Sequence, residues 1–85
     1  MSTAEREKIY NDAKKIITDY LRLDNDEIQP DTHIVNDAGA DSLALVELGF
    51  QLTEKFGVQI ADTTDEKLVF KNLVDYIIEN LENNN

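Results

Sequence analysis

The chain contains no cysteine, and this absence excludes several kinds of site. Without a thiol there can be no disulfide, no thiolate metal site and no cysteine nucleophile. The only histidine is His33, so a zinc site is implausible as well. The cellular compartment must therefore be inferred from features other than cysteine usage.

Basic residues are also scarce. The 85 residues include 8 lysines and arginines against 18 aspartates and glutamates, which gives a net charge of −10. From Asp24 to Glu66 there are eleven carboxylates and one cation, Lys55. We expect no nucleic-acid partner, because phosphate backbones recruit cations. Basic protein surfaces are the expected partners, and the alternative is a solvated acidic face that serves solubility.

Long apolar runs are missing too. No segment is apolar enough to span a bilayer, and the N-terminus from Met1 to Arg6 lacks the apolar core of a signal peptide. We therefore expect a cytoplasmic protein without membrane insertion. A chain of this length can build one small core, so we expect a single, monomeric domain over residues 1–85 with a disordered tail at 83–85.

Helical periodicity is the main pattern that is present. Apolar residues recur at helical spacing after the capping-box sequence Ser2-x-x-Glu5, which predicts helix one from about Thr3 to Leu21. The pattern fails from Arg22 to Asp41, a long loop of the kind that is usually functional or contains a short helical turn. Its apolar residues, which we expect to anchor it to the core, are Ile28, Ile34 and Val35.

Helix two is predicted from Ser42 to about Phe56, with Gly57 as its stop signal. At 100° per residue, one apolar face contains Leu45, Leu48, Gly49, Leu52 and Phe56. A second apolar stripe beside it contains Leu43, Val46 and Phe50. Leu43 and Val46 should lie at the edge between buried and acidic surface, and such an edge suits a docking site.

Gly49 stands on the inner face of this predicted helix, and a glycine there has two interpretations. It could permit a close approach between helices, or it could leave room for something that is not protein. Close packing is the interpretation that we favour from sequence alone.

The last third of the chain predicts two more helices. The stretch from Asp62 to Asp65 could cap a short helix through Leu68, and apolar spacing from Phe70 to Leu81 defines a last helix. A strand over residues 58–60 would be too short and would have no partner. We therefore predict an all-α fold, an antiparallel bundle of three main helices plus one short connecting helix.

Catalytic constellations are nearly absent. His33, Asp37 and Ser42 are the residue types of a hydrolase triad, but three groups in one loop supply neither an oxyanion hole nor a substrate cleft. Asp24-x-Asp26 resembles the start of a calcium-binding loop, yet Gln29 replaces the required glycine and the later ligands are missing. We predict neither catalytic residues nor a metal site.

The most informative segment is Asp37-Ala38-Gly39-Ala40-Asp41-Ser42-Leu43. It places Ser42 at the start of helix two, where free backbone N–H groups and the helix dipole favour a negatively charged substituent such as a phosphate ester. Ser42 is therefore a candidate attachment point. The alternative is that Ser42 only caps the helix, since serine is a preferred N-cap residue.

This segment, followed by Val46-Glu47-Leu48, resembles the modification site of acyl carrier proteins, and the likeness extends through Phe56 to Leu73-Val74-Asp75-Tyr76-Ile77. The resemblance implies that Ser42, flanked by Asp41 and Leu43, carries 4′-phosphopantetheine. A phosphopantetheinyl transferase (holo-acyl carrier protein synthase) would transfer this group from coenzyme A. The chain would be a non-enzymatic carrier whose cofactor thiol holds acyl groups for fatty acid biosynthesis.

The resemblance also implies two further sets of residues. Docking on basic patches of the transferase and of acyl-processing enzymes would involve Asp41, Leu43, Val46, Glu47 and Glu54. The acyl chain would enter a pocket formed by Val46, Leu48, Gly49, Leu52, Ile60 and Leu68.

Two departures from the family pattern leave the pocket's packing and size open: Ala38 replaces a bulky apolar residue, and Ala61 replaces a proline. A dedicated carrier for polyketide, lipid A or other specialised acyl transfer therefore stays an alternative. An unmodified acidic interaction module is a further one.

Overall fold

The structure, a computed structural model, describes residues 1–60 and 64–83. Within these residues there are three α-helices: α1 (Thr3–Leu21), α2 (Ser42–Phe56) and α3 (Phe70–Asn83). Short 3-10 turns lie at Asn25–Glu27 and Asp65–Leu68, and no strand is present in the described part of the chain. The all-α prediction is confirmed, and the short connecting helix takes the form of the second 3-10 turn.

The predicted boundaries of α1 and α2 are confirmed by their capping groups. At the start of α1, the Glu5 N–H donates to Ser2 Oγ (3.2 Å) while the Ser2 N–H donates to Glu5 Oε1 (3.4 Å), which completes the capping box. At the end of α2, Gly57 adopts a left-handed conformation with φ 71°. A glycine tolerates this conformation without strain, so the helix stops there.

The core lies where the three helices and the long loop meet. Ile17 of α1 and Phe70 and Ile77 of α3 are completely buried, and so are Ile28 and Ile34 of the loop, to within 1%. The Tyr10 ring packs edge-on against Phe70, with ring centroids 4.9 Å apart. The two loop isoleucines therefore anchor the loop as expected, whereas Val35 is only half-buried.

The long loop is held by backbone hydrogen bonds as well as by its apolar side chains. The Ile34 N–H donates to the Leu68 carbonyl (2.9 Å), and the Phe70 N–H donates to the Thr32 carbonyl (2.8 Å). These bonds pair the loop with the junction between the second 3-10 turn and α3. These hydrogen bonds thus hold in place the part of the loop that leads into α2.

Two predictions concern the C-terminal tail and the cap of the short connecting helix, and the structure tests them only in part. Asn83, where we expected a disordered tail to begin, is the last residue of α3. Residues 84 and 85 lie outside the described residues, as do Asp62 and Thr63 of the predicted short-helix cap. In the described ranges, no helix has the length and apolar character needed to cross a membrane.

Candidate functional site

The residue that caps α2 is Asp41 and not Ser42. Asp41 has extended backbone angles (φ −91°, ψ −178°), and its Oδ1 accepts a hydrogen bond from the Ala44 N–H at 2.8 Å. Ser42 is the first residue inside the helix. The alternative that Ser42 serves as the N-cap is therefore wrong.

The Ser42 side chain is exposed, and its hydroxyl has no hydrogen-bond partner among residues 1–60 and 64–83. It stands at the N-terminus of a 15-residue helix whose first N–H groups are only partly used by the Asp41 cap. The site therefore offers a free oxygen beside a region that favours negative charge. Covalent attachment of a phosphate-linked group at this oxygen would break no described hydrogen bond.

The loop before Ser42 is held by a compact set of hydrogen bonds. Asp37 Oδ2 accepts from the His33 N–H (2.8 Å), and the Ala40 N–H donates to the Ile34 carbonyl (3.0 Å). Between them, Gly39 has φ 82°, a conformation that side-chain-bearing residues rarely adopt. The glycine lets the chain turn so that Ala40 is buried while Asp41 and Ser42 face solvent.

His33 has a structural role in this loop. Its Nδ1 accepts hydrogen bonds from the N–H groups of Val35 (3.2 Å) and Asn36 (3.0 Å), and its Nε2 lies 2.9 Å from Asp65 Oδ1. No hydrogen bond among the described residues joins Ser42 to His33 or to Asp37. In the described residues, these three side chains are therefore not joined into a hydrogen-bonded triad.

An open groove runs along α2 from Ser42 to Gly57. Its walls include Val46 and Phe50 on the helix and Gln59 on the segment that follows it. At 1.5 Å per residue, the helical part of the groove is about 20 Å long. A flexible group attached at Ser42 could lie along it.

Next to this groove is a small, partly open cavity of about 40 Å³ between the three helices, the long loop and the second 3-10 turn. Its lining is mostly apolar and includes five of the six residues predicted for the acyl pocket: Leu48, Gly49, Leu52, Ile60 and Leu68. The sixth, Val46, does not line the cavity. Its side chain is 55% exposed and lies in the outer groove.

The outer face of α2 combines apolar and acidic side chains. Leu43 (75% exposed), Val46 (55%) and Phe50 (66%) recur at helical spacing, and Asp41, Glu47 and Glu54 are exposed beside them. Large apolar side chains exposed in a row are typical of interaction surfaces. Phe50 was absent from our predicted docking residues, although its position seven residues after Leu43 is the signal that could have added it.

Comparison of the sequence with known proteins identifies the family of this chain. The family model described as "Phosphopantetheine attachment site" matches residues 12–77, most of the chain. A relative named acyl carrier protein, from Campylobacter lari, is 45% identical over 75 residues, a match that covers 87% of this chain and 96% of the relative. The chain belongs to the acyl carrier protein family.

Two further acyl carrier proteins agree over similar lengths. The one from Campylobacter hominis is 40% identical over 78 residues, covering 91% of this chain and 98% of the relative. The one from Campylobacter jejuni subsp. jejuni is 41% identical over 69 residues, covering 80% and 90%. The prosthetic group of an acyl carrier protein is 4′-phosphopantetheine. The exposed Ser42 hydroxyl, which lies at a helix N-terminus and bonds to none of the described residues, fits a phosphodiester link to it.

Of the two departures from the family pattern, Ala38 is half-buried against the core. Ala61 lies outside the described residues.

Proposed function

We propose that Ser42 is the serine that carries 4′-phosphopantetheine, and that the chain shuttles acyl groups between enzymes of fatty acid biosynthesis. The observation that carries this proposal is that Asp41, and not Ser42, caps α2. Asp41 caps α2 through Oδ1, so the Ser42 hydroxyl is left exposed and unbonded to the described residues. A serine required for capping would not be free to react.

The composition supports a carrier and not an enzyme. The chain has no cysteine, so it cannot form a thioester through a side chain of its own. The bound prosthetic group would supply the thiol. No described base contacts Ser42, so the proton of its hydroxyl would have to be removed by the transferase that loads it.

The charge distribution supports docking on basic partners. Asp41, Glu47 and Glu54 are exposed on or next to α2, and Leu43 and Val46 give apolar contact between them. Attraction between opposite charges accelerates the encounter of the carrier with a partner enzyme and does not require a long-lived complex. A carrier that visits several enzymes in succession needs this combination. Binding should therefore weaken as salt rises.

The cavity supports storage of an acyl group. Leu48 and Leu52 from α2 and Leu68 from the second 3-10 turn give it apolar walls. The cavity has a volume of about 40 Å³. A water-sized group requires about 10–15 Å³ of cavity volume, so about three groups of that size fit before any side chain moves.

The test is loading in vitro. Incubation with coenzyme A and a phosphopantetheinyl transferase should increase the intact mass by one phosphopantetheine group, and Ser42→Ala should abolish the gain. A wild-type chain that gains no mass under conditions that load another acyl carrier protein would refute the proposal. Acylated forms of the loaded protein could then be offered to acyl-processing enzymes, to show which acyl groups those enzymes accept from it.

A further inference from the structure

The outer groove and the inner cavity adjoin each other, because three residues line both. These shared residues are Leu45, Gly49 and Ile60. Leu45 and Ile60 have branched side chains, whereas Gly49 contributes only backbone. At Gly49, no side chain of the lining residue stands between the two spaces.

The backbone does not require a glycine at this position. Residue 49 lies in the middle of α2, and the glycines with positive φ are Gly39 and Gly57. Any amino acid other than proline could adopt the conformation of residue 49. Glycine is also the poorest helix former after proline, so its presence here weakens α2.

Packing does not require a glycine either. Among the described residues, the nearest atom to a Cβ built on Gly49 is the carbonyl oxygen of Ile60, at 3.6 Å, which is an ordinary van der Waals separation. That oxygen belongs to the segment after α2 and not to another helix. Our interpretation of Gly49 as a site of close helix approach is therefore not supported.

We propose that Gly49 is the opening through which an apolar acyl chain passes from the groove into the cavity, and that it determines how easily acyl chains enter. This inference rests on the proposed function of Ser42. Gly49 lies seven residues after Ser42, about 10 Å along the helix axis, so a chain tethered at Ser42 by a flexible arm can reach it. A side chain at residue 49 would fill the gap between Leu45 and Ile60.

The experiment compares Gly49→Ala and Gly49→Leu with wild type, and uses Asn11→Ala as a matched control. Asn11 is exposed on α1 and lines neither space, so Asn11→Ala improves helix propensity without changing either space. Each variant is loaded by the transferase from coenzyme A, butyryl coenzyme A and octanoyl coenzyme A. Intact mass confirms the loading, and thermal melts follow every form.

Without a prosthetic group, Gly49→Ala should melt a few degrees above wild type, as Asn11→Ala should, because alanine favours the helix. Octanoyl loading should raise the Tm of wild type and of Asn11→Ala above that of their unacylated forms, since a group that binds only the native state stabilises it. This increment should be smaller in Gly49→Ala and absent in Gly49→Leu.

Two results would overturn the inference alone. One is a lower Tm for unloaded Gly49→Ala, which would show that packing needs the glycine. The other is a correctly loaded Gly49→Leu whose octanoyl increment equals that of wild type, including the case where both are zero. A wild-type chain that gains no mass would instead overturn the proposed function and this inference with it.

Discussion

Replacing Asp41 should separate two roles that this residue combines, capping of α2 and presentation of negative charge. Asp41 Oδ1 accepts from the Ala44 N–H at 2.8 Å, so Asp41→Ala removes the cap. Loss of such a cap costs about 1 kcal/mol. For a domain of this size, that cost lowers the Tm by about 4–8 °C.

Asp41→Asn is the matched variant, because asparagine caps as well as aspartate but carries no charge. It should lose only the few tenths of a kcal/mol that a carboxylate gains at a helix N-terminus. Both variants should be loaded more slowly by the transferase at low salt, since both lack the charge. Loading rate and stability should therefore not change in parallel.

Ser42→Ala is the decisive control for the capping argument. Ser42 lies inside α2 and its hydroxyl bonds to none of the described residues, so its removal should shift the Tm by at most about 2–4 °C, since a surface change without such bonds is worth at most ~0.5 kcal/mol. Thermal melts and urea denaturation of the unloaded proteins measure the stability of all three variants. If Ser42→Ala were destabilised as much as Asp41→Ala, the assignment of the cap to Asp41 would be refuted.

Three further predictions concern charge and packing. Glu47→Lys should slow loading of Ser42 several-fold at low salt, whereas the same change at exposed Glu79 on α3 should have little effect; unchanged kinetics for Glu47→Lys would contradict the docking role. Millimolar Mg²⁺ or Ca²⁺ should raise the Tm by a few degrees because acidic repulsion strains the fold, and a melt without any shift would count against this. Ile28→Ala should destabilise the protein by about 2–5 kcal/mol and half-buried Val35→Ala by much less, and similar urea midpoints would show that Ile28 does not anchor the loop.

The helices could be predicted from the sequence because local signals mark their ends. Ser2 and Glu5 form a capping box at one end of the chain, and Gly57 stops α2, so the structure reproduces the bounds predicted for α1 and α2. Helical spacing also separated Leu43 and Val46 from the buried face of α2, although both are more exposed (75% and 55%) than the edge position that we expected. These properties depend on residues at most four positions apart or on one helix.

The choice of cap could not be predicted in the same way. Aspartate and serine are comparable N-cap residues and stand next to each other here, so a shift of one residue in the helix start exchanges their roles. The extended backbone of Asp41 and the hydrogen bond that its Oδ1 accepts from the Ala44 N–H distinguish the two. The difference matters, because it decides whether the Ser42 hydroxyl is engaged or free.

Contacts between segments that are distant in sequence could not be predicted either. His33 Nε2 pairs with Asp65, 32 residues later, and the N–H of Ile34 pairs with the Leu68 carbonyl. No periodic pattern links these positions. The same limit applies to Gly49, whose surroundings depend on Ile60 across the turn that follows α2.

The most direct test of the central claim is the intact mass of the protein isolated from its own cells, with the modified residue located by fragmentation. We predict a chain that carries one 4′-phosphopantetheine, with or without an acyl group, on Ser42. A chain recovered without any modification, or with the group on another residue, would contradict the account.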